Sequence, residues 1–307
     1  MEQVLIKAIE ASRGKTAEGK VATYIPELGK GNPDHLGVCV FTRSGRRVVS
    51  GDTKVRFSIQ SISKVISLAM ALEVCGFDDV FRNVGMEPSG DAFNSLLKLE
   101  KADSTPHNPM INAGAIVIAS YLASRISFEE MLEVARTICL DPDIVLDECI
   151  YQSEMSNISR NRAIAYLLDS KGYIEGDVEQ ALSFYVKMCS LSVTAESLAG
   201  LALVLANDGV TPENGQRLLK AQTVKVVKTI MLTCGMYDGS GEFAVRVGIP
   251  SKSGVGGGLI AVVDGRMGIG IFGPSLDAKG NSIAGVAILE YLSNEMGFHM
   301  FGKRYDF

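Results

Sequence analysis

The chain has 307 residues, of which 47% are hydrophobic and 21% charged, so it is long enough to bury a large core and is neither disordered nor fibrous. Its net charge of −5, with no run of basic residues longer than two, lacks the electrostatic footprint of a nucleic-acid-binding protein. Residues 1–20 contain no continuous apolar core and no stretch of the chain approaches about 20 apolar residues, so we expect neither a signal peptide nor a membrane span.

The first predicted elements are two strands and a buried helix. Residues 36–41 and 47–50 are short β-prone runs around Ser44-Gly45, which predicts a hairpin. From residue 61 to residue 75, apolar residues recur at three- and four-residue spacing, which is typical of a helix with one face in the core. The chain is therefore predicted to pass from a strand into a helix near Ser61.

The middle of the chain is predicted to be helical. Between residues 76 and 208 β-prone runs nearly vanish, and helical patterns cover residues 112–123, 128–140, 161–168, 178–189 and 195–206. We therefore predict an all-α subdomain at 76–208, inserted between the two parts of a sheet subdomain at 1–75 and 209–307. The two subdomains would form one continuous catalytic unit.

The C-terminal part is predicted to return to the sheet. After Pro212 a helix runs to Cys234, followed by strands at 243–247, 259–263 and 267–272. Asp264-Gly265, between the last two strands, is among the strongest hairpin signals. A final helix at 282–296 would cover the sheet. The fold class predicted from the sequence is therefore α/β (α+β), with an antiparallel sheet flanked by helices.

Cysteine and histidine usage narrows the chemistry. The six cysteines form no C-x-x-C pair and have no histidine at ligand spacing, which argues against a zinc site or a disulfide framework. Buried free thiols in a reducing, cytoplasmic setting are the simplest interpretation. With only three histidines, a Ser-His-Asp triad has few candidate bases, and this scarcity directs attention to lysine.

Ser61-Ile62-Ser63-Lys64 is an S-x-x-K sequence at the start of the predicted helix. Positions i and i+3 share a helix face with Cβ atoms about 5–6 Å apart, so the Lys64 amine can reach the Ser61 hydroxyl. Unsatisfied backbone N–H groups and the positive helix end favour a developing negative charge there. Ser61 is therefore a candidate nucleophile and Lys64 its candidate base.

The same spacing occurs at Ser12 to Lys15 and at Ser95 to Lys98, because a bare S-x-x-K is expected by chance in a chain of this size. Lys15 and Lys98 lie in polar or charged stretches, where a solvated lysine keeps a pKa near about 10.4 and cannot act as a base at neutral pH. Lys64 is flanked by apolar residues, and burial lowers the pKa of a lysine. This context favours Lys64 over the other two.

A second lysine motif supports the same region. Lys252-Ser253-Gly254 resembles the K-T-G element of penicillin-recognising serine enzymes, which lies on a strand beside the S-x-x-K helix. Val255 and three glycines follow, a run that on its own is typical of a bulge or a flexible edge. Together, the two motifs predict that this strand and the Ser61 helix are neighbours. Lys252 would then supply a nearby positive charge that lowers the pKa of Lys64.

Further landmarks extend along nearly the whole chain. They are Y-I-P-E-L at 24–28, G-D-T at 51–53, Q-S-I-S-K at 60–64, P-S-G at 88–90, N-P-M-I-N-A-G-A at 108–115, C-G-M-Y at 234–237 and K-S-G-V at 252–255. On these motifs the chain resembles the bacterial glutaminases, a serine-dependent family with a β-lactamase/DD-transpeptidase-like fold. The resemblance implies hydrolysis of L-glutamine to L-glutamate and ammonia without a metal or organic cofactor. It also implies a homodimer or homotetramer.

The resemblance implies a role for each site residue. Ser61 would form the acyl-enzyme, Lys64 would accept its proton, Tyr185 would relay a proton to the departing ammonia, and Tyr24 would lie beside them. The residues implied to bind substrate are Asn112, Glu154, Asn161, Tyr237, Val255 and Lys252. Glu154 would pair with the α-ammonium, amide and tyrosine donors would hold the α-carboxylate, and backbone N–H groups of Ser61 and Val255 would hold the oxyanion.

Simpler readings and two other functions stay open at this point. The three tyrosines can be half-buried aromatics, and Asn112 can be a helix cap. A penicillin-binding or esterase-like hydrolase would share Ser61 and Lys64 but not the amino-acid pocket. No S-D-N element is present, only the loose match Ser159-Arg160-Asn161, which disfavours that alternative. A catalytically silent glutamine-binding protein is the other alternative.

Overall fold

A computed structural model of the chain describes residues 1–90 and 104–302. The α-helices of this part are α1 (Glu2–Arg13), α2 (Ser63–Val74), α3 (Phe77–Arg82), α4 (Asn112–Ala123), α5 (Phe128–Ile138), α6 (Glu148–Ser156), α7 (Ser159–Ser170), α8 (Val178–Cys189), α9 (Ala195–Ala206), α10 (Ala221–Cys234), α11 (Ser240–Arg246) and α12 (Ile283–Met296). The strands are β1 (Gly37–Thr42), β2 (Arg47–Gly51), β3 (Phe57–Ser58), β4 (Val145–Leu146), β5 (Leu191–Val193), β6 (Ser251–Ser253), β7 (Gly258–Val263) and β8 (Met267–Phe272).

The main sheet combines strands from both ends of the chain. Its order is β2-β1-β8-β7-β6, and every neighbouring pair is antiparallel. Both predicted hairpins are present, one joining β1 to β2 and one joining β7 to β8 across Asp264-Gly265. The predicted antiparallel sheet flanked by helices is therefore confirmed. In the described part of the chain, no helix has both the length and the apolar character that a membrane span needs.

The two faces of the sheet bury different sets of side chains, as the two-residue period of a strand requires. In β7, Leu259 and Ala261 face a core that is shared with α1 and α12, whereas Ile260 faces the larger helical core. Helix α9 lies on that second face, against β1, β7 and β8. The sheet is thus enclosed between α1 and α12 on one side and α9 on the other.

Two glycines of β8 allow α9 to approach the sheet closely. A Cβ at Gly268 would lie 2.2 Å from the backbone nitrogen of Leu203, and a Cβ at Gly270 would lie 2.0 Å from the carbonyl oxygen of Ala195. These separations are shorter than any real Cβ contact, so the helix backbone rests directly on the strand backbone. The alternation of glycine and isoleucine in this strand therefore sets the distance between the layers.

Side-chain caps set the starts of three helices, two of which, α6 and α8, carry later site residues. Asp147 caps α6 by accepting from the backbone N–H of Ile150, and Asp177 caps α8 by accepting from that of Gln180. Helix α5 begins with a capping box in which Ser127 and Glu130 satisfy each other's backbone N–H groups. These local signals fix where each helix begins, and hence which residues face the core.

One predicted strand is wrong. Residues 243–247 lie in α11 and its C-terminal cap, not in the sheet. A strand would place Phe243, Val245 and Val247 on one face, but only Phe243 and Val247 are buried, while Val245 is 79% exposed. Burial four residues apart is the helical period, which a run of five residues does not distinguish from alternation. Instead, β6 forms this edge of the sheet.

The segment predicted to be all-α contains two short strands. β4 and β5 form a small antiparallel sheet with β3, in the order β3-β5-β4. Helix α9 also belongs to the predicted helical segment, yet it packs on the main sheet. The division into residues 1–75 with 209–307 and residues 76–208 stays a prediction.

Candidate active site

Ser61 lies where the small sheet passes into α2. It is part of a 3₁₀ turn, Gln60–Ile62, between β3 and the helix, and it is 7% exposed. The preceding residue, Gln60, has φ of +48°, in the left-handed region that residues other than glycine rarely adopt. Such strained positions persist where the surrounding structure holds them, and they cluster at functional sites.

The glycines after Lys252-Ser253 bring β6 against the Ser61 turn. A Cβ at Gly256 would lie 2.2 Å from the carbonyl oxygen of Ser58, and a Cβ at Gly254 would lie 2.7 Å from that of Ile59. The glycine run therefore serves close packing of two backbone segments rather than a flexible edge. The structure places the two lysine motifs side by side, as the sequence predicted.

Lys64 is buried on α2 and donates hydrogen bonds to two oxygens. Its Nζ lies 2.7 Å from Oδ1 of Asn112 and 3.3 Å from the carbonyl oxygen of Met110. Burial lowers the pKa of Lys64 to about 8, while the nearby Cys189 and Glu154 raise it. A neutral amine has two N–H donors and one lone pair. With both donors used by acceptors, the lone pair is available to accept a proton.

Lys252 is a second lysine amine that is closed to solvent. It is 0% exposed, donates to the carbonyl oxygen of Ser253 at 2.6 Å, and lies 4.4 Å from the ring centroid of Tyr237. Burial, and then the charge of Lys64, lowers the pKa of Lys252 well below its ordinary value. The sequence suggested that Lys252 lowers the pKa of Lys64 by its charge. In the structure burial causes the low pKa of Lys64, and the charge effect acts on Lys252.

Asn112 links the lysine to residues of α7 and α8. It is the first residue of α4, its Nδ2 donates to Oδ1 of Asn161 at 2.9 Å, and its Oδ1 accepts from the hydroxyl of Tyr185 at 3.3 Å. The same Oδ1 accepts from Lys64. Asn112 therefore acts as a buried hub and not as the cap of α4, whose N-cap is Ile111.

Glu154 is a buried carboxylate on α6. Burial raises its pKa to about 7, and a hydrogen bond from Gln60 and the charge of Lys64 partly offset this effect. A buried carboxylate near a lysine is suited to binding a substrate cation. The cation then compensates the negative charge that burial has deprived of its hydration.

Tyr237 and Val255 lie on the side of β6. The Tyr237 hydroxyl interacts with the Ser61 hydroxyl and with the backbone of Val255, while burial raises its pKa. Tyr24 as a whole residue is 56% exposed, but its hydroxyl is buried enough to interact electrostatically with Glu154 and Tyr237. Burial, first, and these neighbours raise the pKa of Tyr24 well above its ordinary value. All three tyrosines thus surround one cleft, and Tyr237 is the one beside Ser61.

The other two S-x-x-K sequences have no such surroundings. Lys15 is exposed and forms a 3.0 Å ion pair with Glu18, so its amine is solvated and is not buried as that of Lys64 is. Ser95 to Lys98 lies outside the described residues. Within residues 1–90 and 104–302, no three His, Cys, Asp or Glu side chains group in a way that could hold a metal ion.

Sequence reasoning missed three contributors to the site. Ser58, Gln60 and the backbone carbonyl of Cys189 form a hydrogen-bonded group beside Glu154. Gln60 was visible only as a letter of the Q-S-I-S-K motif, and nothing in the residue pattern predicts its left-handed backbone.

An antiparallel sheet, a helical region and a buried serine next to a lysine whose pKa is low define a hydrolase with the serine β-lactamase-like fold. The family model described as Glutaminase matches residues 19–301. The chain is 50% identical over 305 residues to a glutaminase of Fusobacterium nucleatum and 49% identical over 305 residues to glutaminase 2 of Clostridium perfringens, which covers 98% of this chain and 100% of each relative. The chain belongs to the glutaminase family.

A solved structure agrees with this assignment. The Bacillus subtilis glutaminase in covalent complex with 5-oxo-L-norleucine, formed by reaction with 6-diazo-5-oxo-L-norleucine, superposes with a TM-score of 0.89 at 38% identity. The match covers 98% of this chain and 99% of the other chain.

Proposed function

We propose that the protein hydrolyses the side-chain amide of L-glutamine to L-glutamate and ammonia through an ester with Ser61. The observation that carries the proposal is the buried Lys64 amine, one helical turn from Ser61, whose two donors are satisfied by Asn112 and Met110. Family membership supports the substrate, and the covalent complex of the Bacillus subtilis relative supports a covalent intermediate.

In the first step Lys64 takes the hydroxyl proton while the Ser61 oxygen attacks the amide carbon. Backbone N–H groups of Ser61 and Val255 would stabilise the negative charge that develops on the carbonyl oxygen. The proton that Lys64 took passes to the amide nitrogen, which leaves as ammonia, and Lys64 becomes neutral again. Water then attacks the γ-glutamyl ester while Lys64 accepts its proton and returns it to the Ser61 oxygen, so that glutamate leaves and the hydroxyl is restored.

Two tyrosines are candidates for the proton relay to the departing ammonia. The resemblance assigns this role to Tyr185, whose hydroxyl donates to Asn112. The geometry favours Tyr237, because its hydroxyl is the one next to Ser61. A Tyr237→Phe variant would then lose more kcat than a Tyr185→Phe variant.

The polar ends of the cleft fit the two charged groups of an amino acid. Glu154 would bind the α-ammonium, and Asn112, Asn161 and the Tyr24 hydroxyl would donate to the α-carboxylate. Asn112 uses one N–H on Asn161, which leaves its second N–H for the substrate. A pocket that forms a hydrogen bond with every polar group of the substrate discriminates strongly against analogues that lack one of those groups.

A coupled assay for glutamate, run on a panel of amino-acid amides, tests this function. We expect Ser61→Ala to lose at least about 10³-fold in kcat on glutamine, because it removes the nucleophile. Ser63→Ala is the matched control, since Ser63 is also buried, two residues away, but its hydroxyl contacts the Cys189 thiol. Near-normal ammonia release by Ser61→Ala would overturn the mechanism. Binding of glutamine without turnover by the unaltered protein would indicate a silent binding protein instead.

The assembly and cellular location follow from the resemblance and from thiol usage. A homodimer or homotetramer in the cytoplasm is part of the proposal, with no nucleic acid as partner. All six cysteines are free, which fits a reducing compartment. Sedimentation equilibrium of the purified protein would test the assembly, and a monomer at micromolar concentration would contradict it.

A further inference from the structure

Gln60 combines a strained backbone with a buried side chain. It is 3% exposed and has φ of +48°. Glycine or asparagine would adopt this conformation at lower cost. A longer residue at such a position indicates that its side chain makes contacts that a smaller residue would lose.

The side-chain amide of Gln60 faces acceptors from three separate elements. Its Nε2 lies 2.9 Å from Oγ of Ser58 on β3, 3.3 Å from Oε2 of Glu154 on α6 and 3.5 Å from the carbonyl oxygen of Cys189 on α8. Ser58 donates its own proton to the Cys189 carbonyl at 2.8 Å, so its oxygen can only accept from Gln60. Since all these neighbours accept, the amide must point its NH₂ group toward them.

We propose that Gln60 is a positioning residue that holds the Glu154 carboxylate in the orientation that binds the α-ammonium of glutamine. The inference rests on the proposed function, because it assigns Glu154 to the ammonium. One N–H of Gln60 would be anchored by Ser58 and the other would be directed at Glu154. Gln60 would therefore act through Glu154 and not on the reacting amide.

The electrostatics of Glu154 agree with this arrangement. Burial raises the pKa of Glu154, and the Gln60 hydrogen bond is the larger of the two effects that lower it, ahead of the charge of Lys64. The other titratable groups that interact with Glu154 in the described part of the chain are Tyr24, Tyr185 and Cys189. The pKa values of these three are raised, so they are neutral near pH 7. Gln60 and Lys64 are thus the groups that lower the pKa of Glu154 against the effect of burial.

Substrate comparison gives the first test. Gln60→Met and Gln60→Glu keep the side-chain length and place the same demand on the left-handed backbone. The substrates are glutamine and glutaramate, which is glutamine without its α-amino group. We expect Gln60→Met to lower kcat/KM for glutamine roughly 10- to 100-fold, mainly through KM, and for glutaramate by less than about threefold, as for a lost hydrogen bond to a charged group.

The pH dependence gives the second test. For glutamine, kcat/KM falls on the acid side for two reasons, because Lys64 must be neutral to act as the base and Glu154 must be ionised to bind the ammonium, whereas for glutaramate only Lys64 matters. Loss of the Gln60 donor raises the pKa of Glu154, so in Gln60→Met the acid limb for glutamine should move to higher pH relative to the limb for glutaramate. In Gln60→Glu the two adjacent carboxyl groups share a proton, so the protonated replacement can still donate to Glu154 and the limb should stay nearer to its wild-type position. In Ser63→Ala the acid limb of the kcat/KM profile should stay at its wild-type pH.

A purely structural role for Gln60 predicts a different result. Equal losses on glutamine and glutaramate in Gln60→Met, or the same acid limb for both substrates in that variant, would overturn the proposal. If Gln60→Met lowers the urea midpoint, Gln60→Glu separates the two roles, because only a donor role predicts that its activity on glutamine recovers as the carboxyl pair takes up a proton. Failure of the wild-type protein to hydrolyse glutamine would contradict the proposed function itself, which separates the two failures.

Discussion

Two lysine amines in this site are closed to water, and each would be more stable without its charge. Burial is the largest cause of the low pKa of both Lys64 and Lys252. For Lys64 the shift from the ordinary value of 10.5 to about 8 corresponds to a cost of about 3 kcal/mol for holding the charged form in the folded protein. The burial that would let Lys64 act as a base at neutral pH therefore also costs stability.

Lys64→Met should therefore abolish activity and stabilise the fold near neutral pH. The folded-state pKa lies below the unfolded one, so the cost is complete below about pH 8 and disappears as the pH rises toward 10.5. Loss of the hydrogen bonds to Asn112 and Met110 offsets part of the gain, which leaves about 1–2 kcal/mol at pH 7. Urea unfolding of both proteins at pH 7 and pH 10 measures this difference in unfolding free energy.

Lys15→Met is the control for this prediction, because Lys15 is an exposed lysine in a second S-x-x-K sequence. It should change the unfolding free energy by less than about 0.5 kcal/mol at both pH values. A Lys64→Met protein that is less stable than wild type at pH 7 and equal to it at pH 10 would contradict the assignment.

Single residues differ in how well the sequence predicts them. Ser61 and Lys64 have a local signal, because their spacing and apolar flanks are both visible. Glu154 and Asn161 came only from the resemblance. Gln60 was missed because its hydrogen bonds join positions 94 and 129 residues apart in the chain, and no local pattern encodes such contacts.

At the scale of elements, the main sheet and the helical region are held together by the close packing of α9 on β8. Gly270→Ala should be strongly destabilising, because the new Cβ would meet the Ala195 carbonyl oxygen at 2.0 Å and backbone cannot move aside as a flexible side chain can. We expect a loss of about 1–3 kcal/mol or more in urea unfolding.

Gly241→Ala is the matched control for Gly270→Ala. Gly241 lies inside α11, and a Cβ there has nothing within 4 Å. Alanine should stabilise the helix by about 0.5–1 kcal/mol. Equal effects of the two substitutions would show that α9 does not rest directly on the β8 backbone.

Element prediction succeeded where the hydrophobic pattern was long. The predicted helices at 112–123, 178–189 and 195–206 have the same bounds as α4, α8 and α9. It failed for segments too short to show a period, which include the strand predicted at 243–247 and the two- and three-residue strands β3, β4 and β5. Those short strands are held by pairing with distant partners and not by their own sequence.

At the scale of the whole molecule, the site is assembled from most of the chain. Its residues extend from Tyr24 to Val255 and come from the sheet edge, from α2 and α4, and from the helical region. Substrate contacts would therefore connect parts of the fold that are otherwise joined mainly by packing. Ligand binding should stabilise the entire molecule, since only the folded chain brings these groups together.

A Ser61→Ala protein offers a direct measurement, because it should bind glutamine without consuming it. Its thermal midpoint should rise with glutamine concentration, and the added unfolding free energy should reach about 2.7 kcal/mol at 100 times the dissociation constant. Glu154→Gln in the Ser61→Ala background should remove most of this shift, because an amide does not supply a negative charge for the α-ammonium.

Ser63→Ala in the same background is the control and should keep the full shift. The apo stability of the Glu154→Gln protein should equal or exceed that of its parent near pH 7, because burial disfavours the ionised Glu154 and the amide carries no charge. If Glu154→Gln removes the glutamine-dependent rise in thermal midpoint but leaves apo stability unchanged, the substitution acts on substrate binding. A full glutamine shift in the Glu154→Gln protein would place the ammonium contact elsewhere in the cleft, and the role of Gln60 would fail with it.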